Sequence, residues 1–244
     1  MPHAVEVERP TKTTRTQNTK ASSSRELRQL HILYNKTREQ YLLSNLSLSI
    51  MHLLESKNRP AVKKIVSLGL GSLKSTNQTR RLKQLAIFLA IAAQLQQQEP
   101  KLKIYAQDPS FSRTDEQFLQ SLGVTILSTP SATEVGEAAS HIDASTLVYC
   151  PFLTLEAYQL FFSSSPLNFF IGDDFDALRL KWPKRSAGWI EAESLSRRFV
   201  QGLRKRVVGG GGEDEFWDRE DRPFPMAMYW SAPQRQGKQA KAML

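Results

Sequence analysis

The chain has 244 residues, enough for one large domain or for one domain of ordinary size with flanking segments. Its residues are 40% hydrophobic and 23% charged, which excludes a wholly disordered, collagen-like or disulfide-rich chain. The net charge of +9 would indicate a nucleic-acid or anionic-membrane partner if it were concentrated in the folded part.

The positive charge lies at the two ends. Lys and Arg counted against Asp and Glu give +5 for residues 1–60, −1 for 61–180 and +5 for 181–244. We therefore predict no specific nucleic-acid partner, only non-specific contact by the ends. No apolar run reaches the ~18 residues that span a bilayer, and no signal peptide is evident. We expect no membrane partner and a location in the cytoplasm, with the nucleus as a second site.

Cys150 is the only cysteine, which excludes an internal disulfide and a multi-thiolate metal cage. The four histidines match none of the standard spacings of catalytic or metal sites. We predict no metal site.

Residues 1–24 are polar and without periodicity, which predicts a disordered basic tail. From Arg25, leucines and tyrosines recur at spacings of three and four up to about residue 60. This spacing predicts one or two amphipathic helices over 25–60 that pack on the following domain.

Short apolar runs then alternate with helical segments. The predicted strands are Lys64–Leu68, Leu102–Ala106, Val124–Leu127, Thr146–Tyr149 and Phe169–Ile171, and the main helices lie near 78–97, 114–122, 155–162 and 186–205. This order predicts βαβ units, hence an α/β, Rossmann-like three-layer domain over 61–205 with a mostly parallel sheet of about five strands.

Residues 206–244 are predicted to form a Gly-rich linker and an aromatic, polar tail. The segment Pro223–Trp230 is aromatic but carries two prolines, so we interpret it as something other than a regular strand. It either docks on the domain or binds a partner, and we favour docking.

The first strand runs into a turn that contains Gly69, Gly71 and Ser72. Glycines allow positive φ and close backbone approach, and a following helix N-terminus can receive an anion. However, Lys74 stands where the dinucleotide fingerprint needs a third glycine, and Leu73 where a P-loop needs glycine. A phosphate or nucleoside site and an ordinary tight turn both remain open.

Arg80, Arg81 and Gln84 lie early in the next helix. Cations oppose the helix dipole there, so the two arginines either bind an anionic ligand or point into water. Gln84 stands among apolar neighbours, where a polar side chain needs a partner.

Two further strand ends carry candidate residues. Asp108 follows the second strand, where nucleotide-binding folds place a ribose-binding carboxylate; the alternative is an Asp-Pro turn with Ser112 or Thr114 capping the next helix. Tyr149, Cys150 and Pro151 end the fourth strand. Cys150 would be a nucleophile or haem thiolate if its pKa were lowered, and otherwise a buried, inert thiol.

Together these segments resemble the conserved blocks of the SRR-like domain family, named after the plant protein "sensitivity to red light reduced". The blocks are Gly69–Ser72, Arg80, Gln84–Ala86, Tyr105, Asp108–Pro109, Phe111, Leu122–Gly123, Thr146–Pro151 and Ile171–Phe175. They cover about residues 60–176, and the chain looks like a fungal-type member.

The resemblance implies a regulatory protein linked to circadian and light signalling, with haem metabolism in some relatives. Where many members have His-Cys after the strand-end proline, this chain has Phe152 and Leu153, so the likeliest haem or metal ligands are missing there.

We therefore expect a regulatory, monomeric protein that binds a small ligand or an unidentified protein partner. The alternative is a nucleotide- or S-adenosylmethionine-dependent transferase that uses the same edge of the sheet. We see no acid/base pair or activated nucleophile, which favours the non-enzymatic hypothesis. The candidate ligand-binding residues are Gly69, Gly71, Ser72, Arg80, Gln84, Asp108, Tyr149, Cys150 and Pro151.

Overall fold

A computed structural model describes residues 13–56, 59–129, 131, 133–164, 167–209, 216–217 and 225–231, with side chains from residue 24 onward. The helices are α1 (Thr13–Leu42), α2 (Asn45–Leu54), α3 (Gln78–Gln96), α4 (Arg113–Ser121), α5 (Ala138–His141), α6 (Leu155–Ser164), α7 (Phe175–Leu178) and α8 (Ala187–Leu195). The strands are β1 (Lys64–Leu68), β2 (Lys103–Gln107), β3 (Thr125–Ile126), β4 (Thr146–Tyr149), β5 (Phe169–Asp173), β6 (Arg204–Val207) and β7 (Met226–Trp230).

The seven strands form one sheet in the order β3-β2-β1-β4-β5-β7-β6. The first five strands are parallel, as βαβ connections require, and β7 runs antiparallel to both of its neighbours, β5 and β6. The order 3-2-1-4-5 is that of a Rossmann-like doubly wound sheet, so the predicted fold class is confirmed.

Helices cover both faces of the sheet. Side chains of Ile65, Tyr149 and Met228 belong to a core with α1, α2 and α3. Val66, Val148 and Tyr229, one residue along each strand, belong to a second core with α6 and α8. Because successive side chains of a strand point to opposite faces, this alternation produces the predicted three layers.

Hydrogen bonds at the first turn fix where α2 and α4 begin. The Ser44 hydroxyl accepts the Ser47 N–H at 3.2 Å, which caps α2. At α4, the Ser112 hydroxyl accepts the Asp115 N–H at 3.3 Å, and the Asp115 carboxylate accepts the Ser112 N–H at 2.8 Å. This reciprocal capping box confirms Ser112 as the predicted cap.

Two helix boundaries differ from the sequence predictions. The segment 1–24 was expected to be disordered, but α1 begins at Thr13; residues 1–12 lie outside the described ranges. One helix was expected over 186–205. In the structure, α8 ends at Leu195, a π-helix follows over Ser196–Val200, and β6 occupies Arg204–Val207.

The sheet has two more strands than expected. The two prolines of Pro223–Trp230 precede β7 instead of interrupting it, because pairing begins at Met226. All five residues of β7 are buried, so the interpretation against a strand was wrong, while the favoured docking on the domain is confirmed.

None of the helices within the described ranges is long and apolar enough to cross a membrane. The sheet order reverses direction at β1, whose neighbours are β2 on one side and β4 on the other. Open α/β sheets bind ligands at the carboxyl ends of the strands beside such a point, and there the candidate residues follow β1, β2 and β4.

Candidate functional site

The turn after β1 is built around two glycines in the left-handed region. Gly69 has φ +74° and Gly71 has φ +76°. A Cβ at Gly69 would overlap the Leu153 side chain, and one at Gly71 would lie 2.5 Å from Nε of Arg81. The space beside these two glycines is therefore occupied by the Leu153 and Arg81 side chains of the protein itself.

Three N–H groups of this turn, those of Gly71, Leu73 and Lys74, already have acceptors. Gly71 N–H donates to Oδ2 of Asp108 at 2.7 Å, and Leu73 N–H donates to Oδ1 of Asp115 at 3.1 Å. The Ser72 hydroxyl donates to Oδ2 of Asp115 at 2.8 Å and accepts the Lys74 N–H at 3.2 Å. A phosphate cradled by the backbone of the turn would have to break these bonds.

Asp108 is held at the carboxyl edge by its own turn. Its Oδ1 accepts the Ser110 N–H at 2.8 Å, which is the geometry of an Asp-Pro turn, while its Oδ2 binds Gly71. The turn alternative predicted for Asp108 is thus present, at the strand end expected of a ribose-binding carboxylate.

Arg80 and Arg81 place two guanidinium groups over this edge. The Cζ of Arg80 lies 5.2 Å from the centre of the Phe152 ring, and Nη1 of Arg81 donates to Oε1 of Gln84 at 3.3 Å. Burial lowers the pKa of Arg81, the charge of Asp108 opposes that, and the positive charge of Arg80 lowers it further. The positive charge of Arg80 thus disfavours the charged form of Arg81.

Gln84 and Tyr149 meet on the inner side of α3. Gln84 is only 1% exposed, and the Tyr149 hydroxyl donates to its backbone carbonyl at 3.2 Å. Tyr149 packs against Phe88 in the core, and burial raises its pKa well above the usual value. Tyr149 was expected at the edge, but it is the last residue of β4 and its side chain points into the core between the sheet and α3.

Cys150 and Pro151 are buried at the end of β4. Burial raises the pKa of the Cys150 thiol well above its usual value, and the charge of Asp173 raises it further. Of the alternatives predicted for Cys150, the structure favours the inert thiol over a nucleophile or a haem thiolate.

Phe152, next to Pro151, has φ +68°, a conformation that is costly for a residue with a large side chain. Its N–H donates to Oδ1 of Asp173 at 3.1 Å and lies 3.3 Å from Oδ2. Asp173 ends β5, so this bond joins the carboxyl ends of β4 and β5.

Asp173 is a buried acid with an altered pKa. It is 2% exposed, its backbone N–H donates to the Tyr158 hydroxyl at 3.0 Å, and that hydroxyl donates to the Cys150 carbonyl at 2.7 Å. Burial raises the pKa of Asp173 to about 7, against the lowering effects of its hydrogen bonds with Phe152 and Tyr158 and of the charges of Lys181 and Arg80.

The residues at this edge do not fit a haem or a metal ion. Phe152 and Leu153 have no ligating atom, Cys150 is buried, and no metal-binding group of His, Cys, Asp and Glu side chains occurs in the described part of the chain. His31 and His141 pack elsewhere, against Phe118 and Tyr105.

The SRR1 domain family matches residues 28–217, most of the chain and nearly all of the described α/β core. The chain is a member of the SRR1 domain family. The resemblance seen in the sequence is confirmed. The match is longer than residues 60–176, because it includes the second half of α1, all of α2 and the pair Phe216–Trp217.

No functionally curated protein matches this SRR1 domain. Among solved structures it is similar to cofactor-bound Rv0187 from MTB, at 9% identity and TM-score 0.47, covering 84% of this chain and 88% of that one. It is also similar to the plantazolicin methyltransferase BpumL, at 8% identity and TM-score 0.34, covering 88% and 91%. A third is the Methanococcus jannaschii fibrillarin pre-rRNA processing protein, at 12% identity and TM-score 0.39, covering 73% and 70%.

The carboxyl edge of this SRR1 domain contains five of the nine predicted residues, with Gln84 buried behind Arg81. Gly69, Gly71, Ser72 and Asp108 follow the strand ends and Arg80 lies over them on α3, while Tyr149 belongs to the core and Cys150 and Pro151 are buried at the end of β4. Sequence reasoning missed the roles of Phe152 and Asp173. The signal for Asp173 was present, since it is an acid at the end of a buried apolar run.

Proposed function

We propose that this SRR1 domain is a regulatory protein that binds a small ligand at the carboxyl edge of its sheet, beside Phe152, Arg80 and Asp108. The observation that carries the proposal is the contact between Phe152 and Asp173. A large residue is held in the left-handed region there by a buried carboxylate.

Both halves of this contact oppose folding. A non-glycine residue in the left-handed region costs about 1–3 kcal/mol, and a carboxylate loses solvation when it is buried. Strained backbone and altered pKa values concentrate at functional sites, and this pair lies where open α/β sheets bind ligands.

Regulation in the cytoplasm or nucleus, through the ligand or through a protein partner, is part of this proposal. It is supported by the family membership and by the near-neutral charge of residues 61–180, which does not favour nucleic acid. The links to circadian and light signalling that the resemblance implies belong to the proposal as well.

A thermal-shift screen of the full chain tests the proposal. The compounds include nucleotides and S-adenosylmethionine, because the transferase alternative would use the same edge, and haem, for which we expect no shift. A ligand at 100 times its Kd stabilises the protein by about 2.7 kcal/mol, which a screen detects as a higher Tm. If no compound raises Tm, the proposal is wrong.

Phe152→Gly tests whether the bound compound uses this edge. Glycine adopts φ +68° without strain, so the variant should fold and keep most of its stability. We expect it to lose most of the ligand-induced shift because the aromatic ring beside Arg80 is gone. The exposed Leu180→Ala should keep the full shift. An unchanged shift in Phe152→Gly would place the ligand elsewhere.

A further inference from the structure

We infer that the ligand of this edge carries an oxyanion group, a phosphate or a carboxylate, which Arg80, Arg81 and Gln84 bind at the N-terminus of α3. The inference rests on the proposed function, because it assigns a chemical class to the ligand of the same site.

The first reason is the charge of the two arginines. Within the described ranges, neither guanidinium lies within 4.0 Å of a carboxylate oxygen. Arg80 and Arg81 are adjacent in sequence, partly buried and close enough for the charge of one to lower the pKa of the other. Asp108 and Asp173 act on them only from a greater distance, so an anion between the two guanidiniums would relieve their repulsion.

The second reason is a group of buried donors without acceptors. In the described part of the chain, five buried side-chain polar atoms have no hydrogen-bond partner, and three of these are Nε of Arg80, Nε of Arg81 and Nε2 of Gln84. All three are N–H donors, so what they need is an acceptor. A buried donor without a partner is unfavourable, and three within two turns of one helix indicate one shared acceptor.

Gln84 shows where that acceptor would lie. Gln84 is almost fully buried, and its Oε1 accepts a hydrogen bond from Nη1 of Arg81. The carboxamide of Gln84 therefore contacts the Arg81 guanidinium, which itself lies over Gly71. Its Nε2 therefore lies beside the same guanidinium, on the inner side of α3.

The third reason is the start of α3, a helix of 19 residues. The side chain of its N-cap residue, Asn77, makes no capping hydrogen bond, and the first turn has no acidic residue. The positive end of the helix dipole and two arginines thus occupy the same place, an arrangement that is unfavourable alone and favourable with an anion.

The experiment measures binding of inorganic phosphate, pyrophosphate and citrate to the full chain by Tm, at constant ionic strength with sodium chloride as the reference. We expect at least one oxyanion to raise Tm above the chloride reference. A response to phosphate or pyrophosphate identifies a phosphate site, and a response to citrate alone identifies a carboxylate site. If none of the three raises Tm above chloride, the inference is wrong.

Arg80→Gln and Arg81→Gln should each weaken oxyanion binding at least tenfold, because each removes one of two charge-assisted contacts. The matched control is Arg113→Gln, which removes the same charge from the first residue of another helix, α4, and should leave the affinity unchanged. Equal losses in all three variants would show general electrostatics and overturn the inference.

Gln84→Met keeps the inference testable if an arginine variant folds poorly. The substitution removes the unpartnered Nε2 together with the Oε1 that accepts from Arg81, so the Tm of the free protein should change little while the oxyanion shift falls. If a compound from the screen binds through Phe152 and its shift survives in all the Arg80, Arg81 and Gln84 variants, the inference fails and the proposed function stands. If no compound or oxyanion binds, both fail.

Discussion

At the scale of single residues, Asp173 links the stability of the edge to pH. Its pKa is raised from the ordinary 3.8 to about 7 by burial, so the folded protein retains a proton that the unfolded chain releases above pH 4. The stability contributed by the neutral acid is therefore complete below about pH 4 and is lost as the pH rises through 7. Each pKa unit corresponds to about 1.4 kcal/mol, so the effect is at most a few kcal/mol.

We predict that Asp173→Asn flattens this part of the pH profile, because asparagine stays neutral at every pH. Urea unfolding at pH 4.5 and pH 8 should show wild type losing more stability than the variant between the two. Asp176→Asn is the control, since Lys205 holds the pKa of Asp176 below its usual value, an effect of opposite sign. Parallel profiles for wild type and Asp173→Asn would show that Asp173 is ionised in the folded protein throughout.

At the scale of elements, strands and helices with a regular apolar pattern could be predicted from the sequence. β1, over Lys64–Leu68, and β4, over Thr146–Tyr149, have the predicted bounds. The helix predicted over 78–97 is α3, which ends one residue earlier, at Gln96. β6 was missed because Arg204, Lys205 and Arg206 give it no apolar pattern, and its pairing with β7 joins segments separated by about twenty residues. Such pairing is set by tertiary contact, which local sequence does not encode.

β7 should contribute far more to stability than β6, because β6 is the outermost strand of the sheet. Met228 is fully buried between two neighbouring strands, so we predict that Met228→Ala lowers the free energy of unfolding by about 2–5 kcal/mol. Val207→Ala on β6 is the matched control; this side chain is 54% exposed, and we expect a change within about 0.5 kcal/mol. Urea denaturation measures both, and equal losses would contradict the greater contribution of β7, which has a strand on each side.

At the scale of the whole molecule, the candidate site depends on residues that are far apart in sequence. The strand ends could be predicted because carboxyl ends of parallel strands share one edge. The bond from Phe152 to Asp173 and the position of Arg81 over Gly71 could not, because they depend on φ angles and side-chain directions that residue type does not fix. The same holds for Phe216 and Trp217, which reach the edge from beyond the Gly-rich segment.

Phe216 and Trp217 join three parts of the molecule at this edge. The Phe216 ring is 5.3 Å from Tyr41 of α1, and the Trp217 ring is 6.4 Å from Phe152. Lys83 of α3 lies between them, 5.8 Å from the Phe216 ring and 5.7 Å from the Trp217 ring. The family match also ends at residue 217. The pair is therefore part of the domain core.

We predict that Phe216→Ala lowers the free energy of unfolding by about 3–5 kcal/mol, because it removes a buried ring and leaves a cavity between α1 and α3. Ile190→Ala, at a residue that is 55% exposed on α8, should change it by less than about 0.5 kcal/mol. Urea unfolding followed by circular dichroism measures both. Since Phe216 touches α1 and α3 together, the variant should still unfold in one transition; a separate early transition would mean that this segment is not part of the cooperative core.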